Sequence, residues 1–120
     1  MLKKTTFIAA NFAFLLSANA AGELLCATNQ VTQAKMCFNG SKVRSNGEVR
    51  SSPFYTGGPK QIDDTGYTAR VHCLSRVLEL TDTKGVAFIR NVPTEQIGRD
   101  FVQFLCEHQK TKKDPSLALR

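Results

Sequence analysis

The stretch PTEQIGRDFVQFLCEHQK, residues 93–110, carries the strongest structural signal in the chain. Its apolar residues recur at steps of three and four, the spacing that places side chains on one face of an α-helix. The predicted buried face consists of Ile97, Phe101, Phe104, Leu105 and His108, widened by Val102. Pro93 suits a first helical turn and Thr94 suits an N-cap. We therefore predict a helix over residues 93–110 whose apolar face needs a packing partner.

The first twenty residues have the features of a secretory signal peptide. A basic start precedes an apolar run over residues 7–16, and residues 18–20, Ala-Asn-Ala, have the small-x-small form of a cleavage site. The apolar run is too short to act as a stable membrane anchor. We expect cleavage after Ala20, which would leave one small secreted domain, residues 21–120, in the periplasm or outside the cell.

Four cysteines, Cys26, Cys37, Cys73 and Cys106, would remain after this cleavage. An even cysteine count in a small exported chain predicts two disulfide bonds. Local closure between Cys26 and Cys37 is the simplest first pairing. Cys73 would lie near Cys106 if the segments around them were antiparallel helices. The residues alone leave all three pairings open.

The segments that precede the predicted helix are harder to assign. Residues 23–38 resemble a short helical stretch with loose periodicity. Residues 41–65 are rich in glycine, serine and threonine and predict a long loop. Within that loop, Asn46-Gly47 suits the turn of a small hairpin.

The fold class depends on residues 67–80, which match a helical stripe and a strand alternation equally well. Residues 82–85, Asp-Thr-Lys-Gly, suit either a hairpin turn or the end of a helix. The leading prediction is a mainly α fold, a small disulfide-stapled helical bundle with a long Gly/Ser-rich loop or short hairpin. The alternative is an α+β fold with a hairpin at residues 67–90 packed on the C-terminal helix.

No catalytic constellation is recognisable, so we predict that the protein is not an enzyme and uses no cofactor. His72-Cys73 and Cys106-Glu107-His108 contain residue types that bind zinc, but their spacing is not a standard one. In an oxidising compartment these cysteines are expected to be paired instead.

A rigid small domain without a reactive centre favours a protein partner. Phe54 and Tyr55 are an apolar pair in a polar segment, either tucked into the core edge or exposed as an anchor. With Asp63 and Asp64, typical of a solvated turn, they are the candidate partner-binding residues. The predicted signal holds two of the 16 basic residues and no acid, so the formal charge falls from +6 to +4. With no recognisable binding motif, this charge does not predict nucleic-acid binding.

The segment from Ala87 to Leu119 resembles the C-terminal half of the Rap/Tai-type immunity proteins. The residues that carry the resemblance are Phe88-Ile89, the turn Asn91-Val92-Pro93, Gln96, Phe104-Leu105, the basic stretch Lys110 to Lys113, and Pro115-Ser116. Gly66-Tyr67, Glu23-Leu24-Leu25-Cys26 and Cys37 are similar to earlier family positions. The chain departs from the family pattern at Phe88-Ile89-Arg90, where the family has Cys-Ile-Pro, and at Cys106, which has no family counterpart.

This resemblance implies a small periplasmic helical protein that protects bacteria from amidase effectors of type VI secretion. By that analogy, the chain would bind a peptidoglycan hydrolase after export and occlude its active site, and family members tend to be dimers. Two other functions remain open: an accessory protein of an envelope secretion or conjugation system, and a secreted lysozyme inhibitor. The last is favoured if residues 67–90 form a hairpin.

Overall fold

In the computed structural model, the fold is a mostly antiparallel sheet with one helix packed on one of its faces. The structure describes residues 23–109 and 111–114, so the predicted signal peptide lies outside the described residues. The strands are β1 (Leu24–Thr28), β2 (Lys35–Asn39), β3 (Arg44–Asn46), β4 (Val49–Gly57), β5 (Ile62–His72), β6 (Val77–Thr81), β7 (Ala87–Asn91) and β8 (Lys112–Lys113). The helix is α1 (Gln96–Glu107), and a short 3-10 turn spans Gly40–Lys42.

The eight described strands form one sheet with the order β1-β2-β4-β5-β6-β7. Strand β3 pairs with residues 49–51 of β4, and β2 pairs with residues 54–57 of the same strand. Strands β2 and β3 therefore share one edge of β4, with the 3-10 turn between them. The short strand β8 pairs with β3 and is parallel to it. Strands β1 and β7 end the main strand order.

The prediction of a mainly α helical bundle is wrong, because residues 23–38 and 67–80 form strands. In the first segment, Leu25 and Ala27 alternate with outward-facing neighbours, and a tight turn that starts at Asn29 reverses the chain into β2. The Asn29 side chain accepts hydrogen bonds from the backbone N–H groups of Val31 and Thr32, at 2.9 and 3.0 Å. The apolar residues of two short strands, joined by this turn, were spaced so that they resembled the apolar face of one irregular helix.

Residues 67–80 belong to two strands, with a turn between His72 and Val77. Ala69 and Val71 of β5 and Leu78 of β6 point into the core, which is the period of two that a strand requires. The turn at residues 82–85 is a hairpin turn. Gly85 has φ +83° there, and its N–H donates to the carbonyl of Asp82 at 3.0 Å. Strands β5, β6 and β7 thus form an antiparallel meander.

The predicted long loop at residues 41–65 is largely strand, although the expected Asn46-Gly47 hairpin turn is present between β3 and β4. Gly47 has φ +61°, which suits glycine. Pro53 lies inside β4, an unusual place for a residue without an N–H. It occupies the junction between β2 and β3, where the pairing with β5 also shifts register, so little hydrogen bonding is lost.

The C-terminal helix is confirmed, with narrower bounds than predicted. It begins at Gln96 and ends at Glu107, with Glu95 at the N-cap position and no side-chain cap, so Thr94 does not cap it. Pro93 precedes the helix instead of forming its first turn. It lies against Gly98, where an added Cβ would be 2.7 Å from the Cβ of Pro93. This contact sets the angle at which the chain enters α1.

The core lies between α1 and the sheet. Phe101 is fully buried, and its ring meets those of Phe38 and Phe54 edge-on, at centroid distances of 6.0 and 5.4 Å. Val102 and Leu105 complete the buried stripe, whereas Phe104, predicted to be buried, is 41% exposed. The helix contacts β1, β2, β4 and β5. Burial of a large aromatic side chain contributes roughly 1.5–3 kcal/mol, so Phe101 is a principal anchor of the helix.

Two disulfide bonds cross-link the elements. Cys26 and Cys37 are directly opposed in β1 and β2, and Cys73 joins the turn after β5 to Cys106 near the end of α1. Both expected pairings are confirmed, although neither pair connects two helices. Arg50 of β4 also holds the end of α1, because its Nη1 donates to the carbonyl oxygens of Leu105 and His108 at 2.9 and 2.6 Å.

Candidate protein-binding edge

Strand β7 is the most exposed strand in the main strand order of the sheet. All five of its residues, Ala-Phe-Ile-Arg-Asn, are exposed, and among the described strands it pairs only with β6. In such an edge strand, every second residue turns its backbone N–H and C=O away from the sheet. Natural edges are commonly blunted by lysine, proline or inward-pointing charge. Strand β7 has no lysine or proline, its single charged residue, Arg90, is ion-paired, and its bulge at Phe88 is one further device that limits edge pairing.

A bulge in β7 brings three apolar side chains together. Thr81 pairs with Ala87 and Leu80 pairs with Ile89, so Phe88 is an extra residue. The Phe88 ring lies 4.7 Å from the ring of Tyr67 on β5, in an edge-on arrangement. We call Tyr67, Phe88 and Ile89 the β7 patch; they are 41%, 49% and 39% exposed.

The position of α1 explains why the β7 patch is uncovered. Ile89 pairs with Leu80, which pairs with the core residue Ala69, so Ile89 points to the helix side of the sheet. The helix lies against β1, β2, β4 and β5, and the helix side of β7 is left open. Val86 and Val92, at the two ends of β7, are also exposed. A row of apolar groups beside unpaired strand backbone is typical of a protein-binding surface.

A small cavity adjoins the C-terminal end of β7. It measures about 280 Å³ and is lined by Arg76, Val92, Pro93, Arg99, Val102 and Gln103. We call it the arginine cavity, because two arginines, Arg76 and Arg99, are among its lining residues. Arg99 donates to the carbonyl of Thr94 and to Gln96 Oε1. Arg76 occupies the tight turn between β5 and β6, with φ +64°, and within the described residues its side chain has no ion-pair or hydrogen-bond partner.

An ion cluster around the buried Glu79 links β7 to β6 and β5. Glu79 of β6, only 7% exposed, has Oε1 3.5 Å from Arg70 Nη1 and Oε2 3.2 Å from Arg90 Nη1. His72 Nε2 is also 3.5 Å from Glu79 Oε1. These three basic side chains come from β5 and β7, so the carboxylate cross-links the last three strands.

Of the four residues predicted from sequence to bind a partner, two are buried and two are exposed. Phe54 and Tyr55 are 4% and 8% exposed, so neither is available as a surface anchor, and Phe54 packs on Phe101. Asp63 and Asp64 are exposed on β5. Asp64 Oδ1 accepts the N–H of Gly66 at 2.8 Å, and Asp63 Oδ1 accepts from Gln61 at 2.6 Å. A partner contact at these two carboxylates stays a prediction.

The residues weighed as a metal site have other roles. Cys73 and Cys106 are bonded to each other, so neither offers a thiolate. His108 Nε2 lies 2.8 Å from the carbonyl oxygen of Gly40, and His72 lies beside Glu79. Over residues 23–109 and 111–114, no three His, Cys, Asp or Glu residues are grouped so that they could hold a metal ion.

Sequence reasoning missed the surface that the fold exposes. The run Val-Ala-Phe-Ile at residues 86–89 was considered as part of a possible hairpin and Phe88-Ile89 as part of a family resemblance, and neither interpretation predicted an exposed edge. One signal was available: this run is the last strand before the helix, and the last strand of a meander ends a sheet unless the chain returns to it. The arginine cavity left no local trace, because Arg76 and Arg99 are distant in sequence.

Comparison with protein-family models, curated proteins and solved structures gives no match to this chain. None of the described helices has the length and apolar character needed to cross a bilayer. The two disulfides place the protein in an oxidising compartment, either the periplasm or the extracellular space. The molecule is therefore defined by its own geometry as a β-rich, doubly disulfide-bonded domain with an open sheet edge.

Proposed function

We propose that this protein is an exported inhibitor that binds a cell-wall-degrading enzyme and blocks its active site. The first candidate partner is a peptidoglycan amidase effector, against which the chain would act as a periplasmic immunity protein. The observation that carries the proposal is strand β7, an open sheet edge with exposed Phe88 and Ile89. Added strands gain affinity from main-chain hydrogen bonds and specificity from side-chain contacts.

The rigidity of the scaffold supports an inhibitory role. Strand β7 is fixed through Glu79 to β5, and Cys73–Cys106 fixes the turn after β5 to the helix. A preorganised surface loses little conformational entropy on binding, which favours tight association over a small area. Such a surface can occupy an enzyme cleft without being reshaped by it.

A second candidate, a secreted lysozyme inhibitor, is favoured by one specific observation. Residues 67–91 are strands of an antiparallel meander, the arrangement under which this alternative was preferred from sequence. Both candidates block hydrolysis of the cell wall, and they differ in the bond that the partner cleaves. An accessory role in a secretion or conjugation machine would require binding without inhibition.

The test uses the oxidised mature chain, residues 21–120, against peptidoglycan hydrolases of both classes. Clearing of purified peptidoglycan is followed by turbidity, and binding is followed by calorimetry. We expect one class to be inhibited at stoichiometric concentration. Inhibition of the amidases alone supports immunity, and inhibition of lysozymes alone supports the second candidate.

Two half-exposed phenylalanines make a matched pair of variants. Phe88→Glu places a charge in the β7 patch, whereas Phe104→Glu places the same charge on the outer side of α1. We expect Phe88→Glu to weaken inhibition at least 100-fold and Phe104→Glu to change it less than about threefold, as for central and peripheral contact residues. Equal effects of the two changes, or no inhibition of either enzyme class by the wild type, would refute the proposal.

A further inference from the structure

The surroundings of β7 restrict the chemistry of the segment that could bind there. The strand itself carries one charge, Arg90, and two further guanidinium groups, Arg76 and Arg99, line the cavity at its C-terminal end. Glu79, which pairs with Arg90, is buried in its ion pairs, and Glu95, four residues after Asn91, is an exposed acid near the same end of the strand. Asp82, in the turn before β7, uses Oδ1 to accept the N–H groups of Lys84 and Val86, both at 2.9 Å.

This charge distribution favours an acidic partner over a second copy of this chain. Two copies paired antiparallel through β7 would place their arginine cavities at opposite ends of the interface, and because β7 itself has no Asp or Glu, the added strand of a second copy would offer no carboxylate to either cavity. A carboxylate from a partner would instead meet two guanidinium groups, which bind carboxylates through charge-assisted hydrogen bonds. The apolar walls of Val92, Pro93 and Val102 would strengthen that interaction by excluding water.

The size of the arginine cavity points to a side chain and not to a free ligand. At about 280 Å³, it lies below the roughly 300–1,000 Å³ that small-molecule sites occupy. It begins at Val92, directly after β7, so a chain that follows the strand passes its mouth. The five residues of β7 offer about 16 Å of strand backbone for such a chain.

We propose that the partner contributes an extended acidic segment, which adds a strand to β7 and places an Asp or Glu carboxylate in the arginine cavity. Apolar side chains of the segment lie on the β7 patch, and its backbone pairs with the outer edge of β7. This inference rests on the proposed protein-binding function and specifies the chemistry of the partner at the same surface.

The test needs no hydrolase, so that its failure differs from failure of the proposed function. A phage-displayed library of random 12-residue peptides is selected on the immobilised, oxidised mature chain. We expect enriched peptides to combine apolar or β-branched residues with at least one carboxylate. The most enriched peptide is then synthesised with a fluorophore, and its affinity is measured by fluorescence polarisation.

The role of the cavity is tested with variants matched for charge. The double change Arg76→Gln with Arg99→Gln should weaken the peptide at least tenfold, the usual scale for hydrogen bonds to a charged group. The double change Lys42→Gln with Arg44→Gln removes the same charge near β3 and should alter affinity less than about twofold. Arg99 also donates to the Thr94 carbonyl, so its loss could disturb the start of the helix. Arg76→Gln alone is therefore measured too, and it should cause most of the decrease in affinity seen in the double variant.

Strand addition is tested on the peptide, which leaves the protein unchanged. N-methylation of alternate peptide residues removes the donors on one edge at a time, so one methylated series should lose binding and the other should keep it. If both methylated series kept full binding, strand addition would be overturned. Two results would overturn the proposed carboxylate contact in the arginine cavity. One is the enrichment of peptides without acidic residues. The other is that the peptide binds the Arg76→Gln and Arg99→Gln double variant as tightly as it binds the wild type.

Two further outcomes have definite meanings. Failure to enrich any peptide, with a hydrolase still inhibited through Phe88, would overturn the linear-segment proposal and leave the proposed function standing. A dimer in analytical ultracentrifugation that dissociates on Phe88→Glu would show that a second copy covers β7, which also overturns the acidic segment as its occupant.

Discussion

Removal of the Cys73–Cys106 disulfide gives the sharpest test of how this fold is held together. The bond joins the turn after β5 to the last turn of α1, across a sequence separation of 33 residues. Cys26–Cys37 spans only 11 residues, between neighbouring strands. If cross-links act mainly by restricting the unfolded chain, the longer loop should contribute more to stability.

The size of each effect follows from the loop-closure relation for disulfides. At 25 °C, a loop of 33 residues corresponds to about 3.7 kcal/mol of unfolding free energy, and a loop of 11 residues to about 2.8 kcal/mol. The double change Cys73→Ala with Cys106→Ala should therefore be more destabilising than Cys26→Ala with Cys37→Ala, by about 1 kcal/mol. For a domain of this size, loss of the longer bridge should lower Tm by roughly 15–30 °C.

The assay is urea denaturation of the three oxidised proteins, followed by circular dichroism. Linear extrapolation gives the free energy of unfolding, and the m-value should rise in each variant because an unlinked chain exposes more surface when unfolded. Addition of a reductant to the wild type should reproduce the combined loss. A loss below about 1 kcal/mol for Cys73–Cys106, or a reversed order of the two variants, would refute the argument from loop length.

Two further predictions concern helix α1. Phe101→Ala should lower the unfolding free energy by about 3–5 kcal/mol, because it opens a cavity between the helix and the sheet, whereas the half-exposed Phe104→Ala should cost at most about 1.5 kcal/mol; equal losses in chemical denaturation would contradict the assigned buried face. Gly98→Ala should destabilise the protein despite the higher helix propensity of alanine, because its Cβ would lie 2.7 Å from that of Pro93. A higher Tm for Gly98→Ala would show that the entry to α1 relaxes easily.

Local features of the sequence were sufficient to find the helix and the two tight turns. The apolar stripe of α1 repeats within one continuous segment, so its period is visible without knowledge of any partner. Asn46-Gly47 indicated a hairpin turn, because positive φ restricts the residue type, whereas Asp-Thr-Lys-Gly at residues 82–85 suited a hairpin turn and a helix end equally. The presence of two disulfide bonds also followed from sequence, since export and an even count favoured two bridges, whereas the choice among the three pairings did not.

The strands could not be assigned in the same way, because their hydrogen-bond partners are distant in the chain. Residues 67–80 satisfied two periods at once, and only the presence of β4 on one side and β7 on the other decides between them. The buried stripe of α1 was predicted too broadly for a related reason. Phe104 and Val102 were both placed on the buried face, and the position of the sheet buries Val102 and leaves Phe104 half-exposed.

The sequence by itself determined a small, disulfide-bonded chain with one amphipathic helix near its C-terminus and tight turns at fixed places. These features depend on contacts between near neighbours or on single residue types. The tertiary structure alone decided that the remainder is a sheet, that α1 covers only part of it, and that β7 forms an open edge beside two arginines. Exposure of an edge depends on which strands find partners, and that property belongs to the whole chain and to no single segment.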